Sequence, residues 1–521
     1  MFSGEARGKL GSAMVSYPAL HNAVNSGKDI IRTALLAFGL VALSYWVQGN
    51  IGLNLADEGY LWYGTIHTAA GQVPLRDFQS YDPGRYYWGA LWSYVLGDGI
   101  MALRASTAIF QAIGLFLGLL AARRAVRSYW LLALVGILLV VWMYPRHKLF
   151  EPAIALSGVF FAVRLIERPE LRRYFFSGVF IGLAAFFGRN HGLYLFSAFA
   201  AIVVLIRFKS GGTEPLWKAS AWLFGIAAGS LPMILMFLLV PGFFGKYVEL
   251  AFYIMKVGTN LSLPVPLPWR ASDPYSLGLL FISMPVLFVA ASAWAVFSKW
   301  ADIRTNALLI SSSAIGIFYM HHAFVRADIG HLAQAIHPFL LGMIALPTLV
   351  KGRARTVSTV LIGAFLLLTG AFTIIRETPC LVKAGAHFVQ YEIGGDRLWI
   401  SRTTASEIDG VKAVAALSSP REEIFIAPHW PTMYPIIDRR SPLWQIYFIF
   451  PEMPEREMEM IGELNSKNVQ WVILGDVALD GRDELRFRNT HPLMWRYFRD
   501  EFMEVDAPGL PEGYEALKRR F

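Results

Sequence analysis

NLADEGYLWYGTIHTAAGQVPLRDFQSYDPGRYYW, residues 54–88, decides how the chain is read. Four acidic residues, Asp57, Glu58, Asp77 and Asp82, stand there among tyrosines and tryptophans, just after the first long apolar run. Acidic groups in that place form either an ordinary solvated loop or a site held at a membrane surface, because charge at the membrane boundary must be paired or wet. The rest of the chain decides between the two.

Of 521 residues, 55% are hydrophobic and 16% charged, and the mean hydropathy is +0.44. That is more apolar and less charged than soluble domains, which identifies an integral membrane protein. The net charge of +9 resides in short Lys/Arg clusters between apolar runs, where it sets topology, so no nucleic-acid partner is expected. A single cysteine, Cys380, excludes an intrachain disulfide and reads as a small apolar residue. Residues 1–28 are mixed and polar without a signal-peptide core, so the first span is expected to double as an uncleaved targeting signal.

A span needs roughly 20 apolar residues, which gives about eleven spans. The first runs from Ile30 to Val47, and Arg7, Lys9 and Lys28 before it predict a cytoplasmic N-terminus. The others are Ile100 to Ala122, Tyr129 to Tyr144, Pro152 to Ile166, Phe175 to Gly188, Gly192 to Ile206, Trp217 to Val240, Pro274 to Phe297, Ala307 to Ala323, Ile336 to Val350 and Val357 to Ile375. Basic clusters such as Arg123, Arg124 and Arg127, or Lys351, Arg353 and Arg355, recur at alternate span ends, and an odd count leaves the C-terminus outside. The expected fold is a polytopic α-helical membrane protein with a C-terminal extracytoplasmic α/β domain. Its parts are a cytoplasmic segment 1–28, a membrane domain 29–375 and an outer domain 376–521. The first outer loop, 49–99, carries two short interfacial helices, Glu58 to Ala70 and Arg85 to Leu96. In the C-terminal part EEIFIAPHW and VQWVILGD read as strands. Ala405 to Leu417, Glu452 to Lys467 and His491 to Glu501 read as helices.

This topology puts Asp57, Glu58, Asp77, Asp82, Arg85, Arg146, His147, Lys148, Glu151, Arg189, His191, Arg326, Asp328 and His331 at outer span ends or in outer loops. A cavity lined by such cations and carboxylates suits a substrate carrying a phosphate and a hydroxyl to be activated, with arginine the better phosphate partner. His67, His321 and His322 read as satisfied interfacial histidines, Asp98 as a turn residue, and Glu167 and Asp302 as solvated cytoplasmic groups. No Walker loop, dinucleotide glycine motif or HExxH occurs, so nucleotide and zinc-protease chemistry lack support. Asp57 and Glu58 could hold Mg²⁺ or Mn²⁺, although adjacent carboxylates also arise by chance.

Several of these segments together resemble the GT-C class of integral membrane glycosyltransferases, especially bacterial relatives of protein mannosyltransferases and of the aminoarabinose transferase that modifies lipid A. They are DEGYLWYG, GQVPLRDF and YDPG in the first loop, then RHKLFEP, GRNHGLY and RADIGHLAQAIHP. The resemblance implies transfer of a sugar, with inversion, from a polyprenyl-phosphate donor to a glycan, lipid or protein acceptor outside a bacterial inner membrane. Asp57 then matches the first-loop aspartate that serves as general base. Arg146, Lys148, Arg189 and Arg326 would hold the donor phosphate, with His147, His191, Asp328 and His331 in the same donor-binding set. Glu58, Asp77, Asp82, Arg85 and Glu151 would contact the acceptor or shape the loop. The chain departs from the lipid A enzyme in lacking an obvious Cys or His metal site, which leaves metal dependence open. Two other functions remain in view: a transporter or flippase of a lipid-linked glycan, which would want polar groups through the bundle depth, and a non-catalytic envelope assembly subunit.

Overall fold

In lipid every backbone N–H and C=O must be satisfied within its own segment, so the apolar runs become helices. The computed structural model describes residues 27–211, 217–257, 261–420 and 422–520; Arg7, Lys9 and most of the expected cytoplasmic segment lie outside them. The helices are α1 (Gly27–Gln48), α2 (Asp57–Ala69), α3 (Pro83–Leu96), α4 (Ile100–Ala122), α5 (Tyr129–Val141), α6 (Phe150–Glu167), α7 (Leu171–Phe187), α8 (Arg189–Lys209), α9 (Trp217–Gly229) and α10 (Leu231–Leu239). They continue as α11 (Phe243–Val257), α12 (Tyr275–Phe297), α13 (Trp300–Thr305), α14 (Ala307–Val325), α15 (Ile329–Ala335), α16 (His337–Ala345) and α17 (Gly352–Thr373). Among the described residues six helices are long and apolar enough to cross a membrane, or up to eight if each of two bent pairs is one span.

The bends have a sequence cause. α9 and α10 meet at 51°, and α15 meets the segment His337–Leu349 at 56°. In both cases a proline, Pro232 or Pro338, opens the second helix, where its ring and missing N–H prevent a straight continuation. α7 and α9 approach through glycines spaced four apart on each: a Cβ on Gly178 would lie 2.1 Å from the Trp222 carbonyl oxygen, and one on Gly225 2.2 Å from that of Phe175.

Beyond α17 the chain forms a hairpin of β1 (Phe388–Ile393) and β2 (Asp396–Ser401) and a four-stranded sheet in the order β3-β4-β6-β5. β3 (Ile424–Ala427), at the sheet edge, and β4 (Trp471–Gly475), inside it, are parallel and wholly buried, as their unbroken apolar runs require. β5 (Phe502–Val505) and β6 (Tyr514–Arg519) complete the sheet antiparallel. Helices form at Arg402–Leu417, Pro454–Ser466 and Pro492–Glu501, beside the expected positions.

Two expectations are corrected. α2 does not leave its aromatic side chains at an open boundary: Tyr60, Trp62 and Tyr63 are buried, Tyr60 against Tyr447 and Tyr63 against Tyr434 of the C-terminal domain, with Trp62 donating to the Asp98 carbonyl. Thr432 ties that domain to the residues before α2, since its N–H and Oγ1 both donate to the Leu55 carbonyl, at 3.2 and 2.6 Å. A Cβ on Gly59 would stand 1.9 Å from Thr432 Oγ1, so only glycine allows so close an approach. α3 does keep an open apolar face, with Leu91, Tyr94 and Val95 exposed. Glu167 is not solvated either; it is buried and paired with Arg124, Nε to Oε1 2.5 Å, since a carboxylate at a packed helix end needs a cation.

The start of α2 is tied to α4 by a buried ion pair. Both Glu58 oxygens accept from Arg104, at 2.7 and 2.8 Å, and the same guanidinium donates to the carbonyls of Gly49 and Gly52. Removing one partner of such a pair strands a buried charge, a loss of about 3–5 kcal/mol. Arg104→Met should therefore unfold well below the wild type in a thermal melt of detergent-solubilised protein, and Glu58→Gln added to it should recover most of the difference. A double variant no more stable than Arg104→Met would contradict this account.

Candidate active site

α2 begins where Asn54 folds its Oδ1 onto the N–H groups of Ala56 and Asp57, at 3.0 and 2.8 Å. Glu58 Oε2 accepts from the Asn54 N–H at 3.3 Å in return, a reciprocal arrangement of capping-box type. Successive helix positions are about 100° apart, so Asp57 and Glu58, neighbours in sequence, face different surroundings. Glu58 turns inward to Arg104, with Arg146 Nε 3.9 Å away.

Asp57 faces the short 3₁₀ turn Arg146–Lys148. His147 Nε2 lies 3.5 Å from Asp57 Oδ2; the imidazole is 5% exposed but the carboxylate 35%. Asp57 is thus deep among other side chains yet partly open. Burial alone would raise its pKa, but the hydrogen bond and charge of His147, together with Lys148 and His331, outweigh it and hold the carboxyl well below the usual carboxylate range. Lys148 donates to the Tyr81 hydroxyl at 2.5 Å, stands 3.8 Å above that ring and makes no ion pair among the described residues. Burial lowers its pKa, partly offset by the charges of Asp57 and Glu151. Tyr447, from the C-terminal domain, packs on Tyr60 at 5.7 Å; burial, and then the charge of Asp57, raise its pKa far above the ordinary phenol value, so it stays protonated.

Most of the other expected site residues are engaged with each other. Arg85 and Glu151 form a buried pair at 2.6 Å, and Arg85 also donates to the Phe187 carbonyl. Asp82 accepts from the Arg189 backbone N–H at 3.0 Å, capping α8, and lies 3.3 Å from Arg189 Nε. Arg189 Nη1 and Glu151 Oε2 are buried without a hydrogen-bond partner among the described residues. Asp77 pairs with its neighbour Arg76 and accepts from the Val73 N–H, which shapes the loop. Arg146 donates to the carbonyls of Gly49 and Ile51. His191 contacts the Tyr319 hydroxyl at 3.2 Å, and His322 contacts Gln334. Asp328, His331 and Arg326 form a separate cluster that Arg326 joins to Asp480 of the C-terminal domain at 2.8 Å.

A cavity of about 580 Å³ opens beside this centre. Leu40, Val47 and Val140 wall it, while Asn54, Arg146 and His147 stand at its polar end. Glu58 and Arg104 line it too, and two of its lining residues, Asn54 and His147, contact Asp57.

The Asp57–Glu58 pair does not fit a divalent cation, because both Glu58 oxygens are held by Arg104 and the two carboxylates diverge. No group of three or more His, Cys, Asp or Glu among the described residues is placed to bind a metal.

Sequence reasoning missed Arg104, Tyr81, Tyr447 and His429. Arg104 carries a visible signal, a lone arginine in the first turn of an apolar span. Tyr447 and His429 carry none, since only the folded C-terminal domain brings them to Asp57.

No protein-family model matches the chain, and no curated protein matches it. Among solved structures it is similar to ArnT from Cupriavidus metallidurans bound to undecaprenyl phosphate, at 12% identity over 94% of this chain and 97% of that one, with a TM-score of 0.53. Apo ArnT from the same organism aligns at 11% identity, the same coverage and a TM-score of 0.52. The oligosaccharyltransferase of Archaeoglobus fulgidus aligns over 87% of this chain and 69% of its own, at 13% identity and a TM-score of 0.44. At these identities the ArnT likeness shows one thing, that this chain has the fold of a GT-C class membrane glycosyltransferase.

Proposed function

We propose that the protein transfers a sugar from a polyprenyl-phosphate donor to a hydroxyl-bearing envelope acceptor, with inversion, and that Asp57 is the general base. The observation that carries this reading is the state of Asp57. Its carboxylate is 35% exposed and pairs with no arginine among the described residues, while Glu58, Asp82 and Glu151 are each tied to one. Beside it stands Lys148, a buried ammonium without a carboxylate partner among the described residues.

In the proposed step an acceptor oxygen bonds to the anomeric carbon as the carbon–oxygen bond to the phosphate breaks, its electron pair leaving on the polyprenyl phosphate. The acceptor proton passes to Asp57. A carboxylate of low pKa is a weak base for a free alcohol, but the hydroxyl becomes strongly acidic as its oxygen bonds to carbon, and Asp57 is ionised and ready then. The leaving phosphate needs no general acid when cations hold its charge. Lys148, with its free ammonium, and Arg189, through its unpartnered Nη1, are the groups for that role. Arg85, Arg146 and Arg326, engaged elsewhere, are better read as framework. The ArnT structure of the same fold holds undecaprenyl phosphate, which supports a polyprenyl-phosphate carrier here, and the apolar cavity supplies room for a lipid chain.

Three outcomes are expected. Asp57→Asn should lower the release of polyprenyl phosphate from a synthetic polyprenyl-phosphate sugar by at least about a hundredfold without moving the thermal midpoint; near wild-type turnover would refute the assignment. Lys148→Met should weaken binding of undecaprenyl phosphate more than tenfold, whereas Arg146→Met should not; the reverse ranking would overturn this division of the cations. In His147→Phe the burial of Asp57 remains but its hydrogen bond and one charge partner are gone, so its pKa rises. The acid limb of the pH–rate profile should then move to higher pH, and a limb left in place would show that His147 does not set the ionisation of Asp57.

A further inference from the structure

The C-terminal domain closes over Asp57 through two short segments that are pinned at both ends. Gln79 Oε1 accepts from the backbone N–H groups of Ile446 and Tyr447, at 3.0 and 2.9 Å. The Phe448 N–H donates to the Pro428 carbonyl at 3.0 Å, which ties the second segment to the first. Thr432 fastens that second segment to Leu55, two residues before Asp57. His429 lies between these anchors, its ring perpendicular to that of Tyr447 at 5.9 Å, and Tyr447 in turn packs on Tyr60 of α2 at 5.7 Å.

His429 Nε2 is buried and has no hydrogen-bond partner among the described residues. A buried polar nitrogen left unpaired costs free energy comparable to a lost hydrogen bond, and here the backbone on both sides is fixed, so the ring cannot easily turn away. His67, His491 and His337 also bury an unpaired nitrogen, but the His67 ring packs on Tyr63 at 4.1 Å, Phe487 stacks on the His491 ring and the other nitrogen of His337 bonds to Leu139, within packed structure. His429 alone of the four lies near enough to Asp57 to feel its charge.

We propose that His429 is a substrate-contacting residue of the site, its Nε2 meeting a hydroxyl group of the sugar donor or of the acceptor, and that the C-terminal domain thereby completes the site. This rests on the glycosyl-transfer reading above. Burial lowers the His429 pKa to about 4, so at neutral pH the ring is uncharged. An uncharged imidazole offers one donor and one acceptor, which matches a hydroxyl better than a phosphate. The phosphate is left to Lys148 and Arg189.

The test uses the purified full-length chain with His429→Phe, the smaller His429→Leu should the first fail to fold, and His429→Gln, whose amide can restore one hydrogen bond. One arm measures binding of a synthetic undecaprenyl-phosphate hexose against bare undecaprenyl phosphate. The other measures the apparent KM for acceptor, supplied as membranes from a strain lacking the gene. If the hydroxyl belongs to the donor, His429→Phe should reduce the preference for the hexose-bearing lipid by about tenfold, the worth of one hydrogen bond of roughly 1.4 kcal/mol. If it belongs to the acceptor, KM should rise by a similar factor with little change in kcat. In either case His429→Gln should regain most of the loss. Both quantities unchanged in the folded apolar variant would overturn the proposal. Asp57→Asn is assayed alongside: if it stays active the glycosyl-transfer reading itself fails, whereas an inactive Asp57→Asn with wild-type behaviour of the His429 variant rejects only this inference.

Discussion

A carboxylate at the end of a membrane bundle must be paired or wetted, and in this protein two adjacent carboxylates meet that demand in opposite ways. Glu58 is paired, by an arginine that also gathers the carbonyls of Gly49 and Gly52. That cluster fixes the first turn of α2 against α4, and the helical twist then turns Asp57 toward the Arg146–Lys148 turn, where its carboxylate stays partly exposed. The one group free to act depends on its neighbour being immobilised. The same division recurs around it, where Arg85 with Glu151 and Asp82 with Arg189 are fixed pairs and Lys148 keeps its charge without one.

The C-terminal domain is part of this framework. Gly59 lets its backbone come within contact of α2, Gln79 receives two of its N–H groups, and the Met101 N–H donates to Asp396 at 2.9 Å. Trp444 donates to the Leu75 carbonyl and the Arg326–Asp480 pair adds a further tie. These contacts bring Tyr447 and His429 close to Asp57, whose carboxylate stays partly exposed. A roof of this kind lowers the local dielectric, which strengthens every charge interaction beneath it.

Much of the membrane part was legible because apolar length and basic clusters follow directly from the bilayer. A helix forms in each expected span, but among the described residues only six, or up to eight with the bent pairs, are long and apolar enough to cross a membrane, fewer than the eleven expected. The buried strands β3 and β4 were legible for the same reason, as unbroken apolar runs. The hairpin of β1 and β2 carried a signal that went unread: Gly394 and Gly395, both at positive φ, between alternating residues. The burial of α2 could not be read, because an aromatic helix suits a headgroup region and a domain interface equally well. The candidate site divides similarly. Asp57, His147 and Lys148 stood out locally, but whether an arginine is free depends on distant partners: Asp480 for Arg326, Glu151 for Arg85, two backbone carbonyls for Arg146.

The central claim is that Asp57 directs a single displacement at the anomeric carbon of a lipid-phosphate sugar. The most direct measurement is the anomeric configuration of the product, read by NMR coupling constants after turnover of a synthetic donor of known configuration. The account predicts a product of opposite configuration to the donor, with polyprenyl phosphate released in equal amount. A product that keeps the donor's configuration would contradict it.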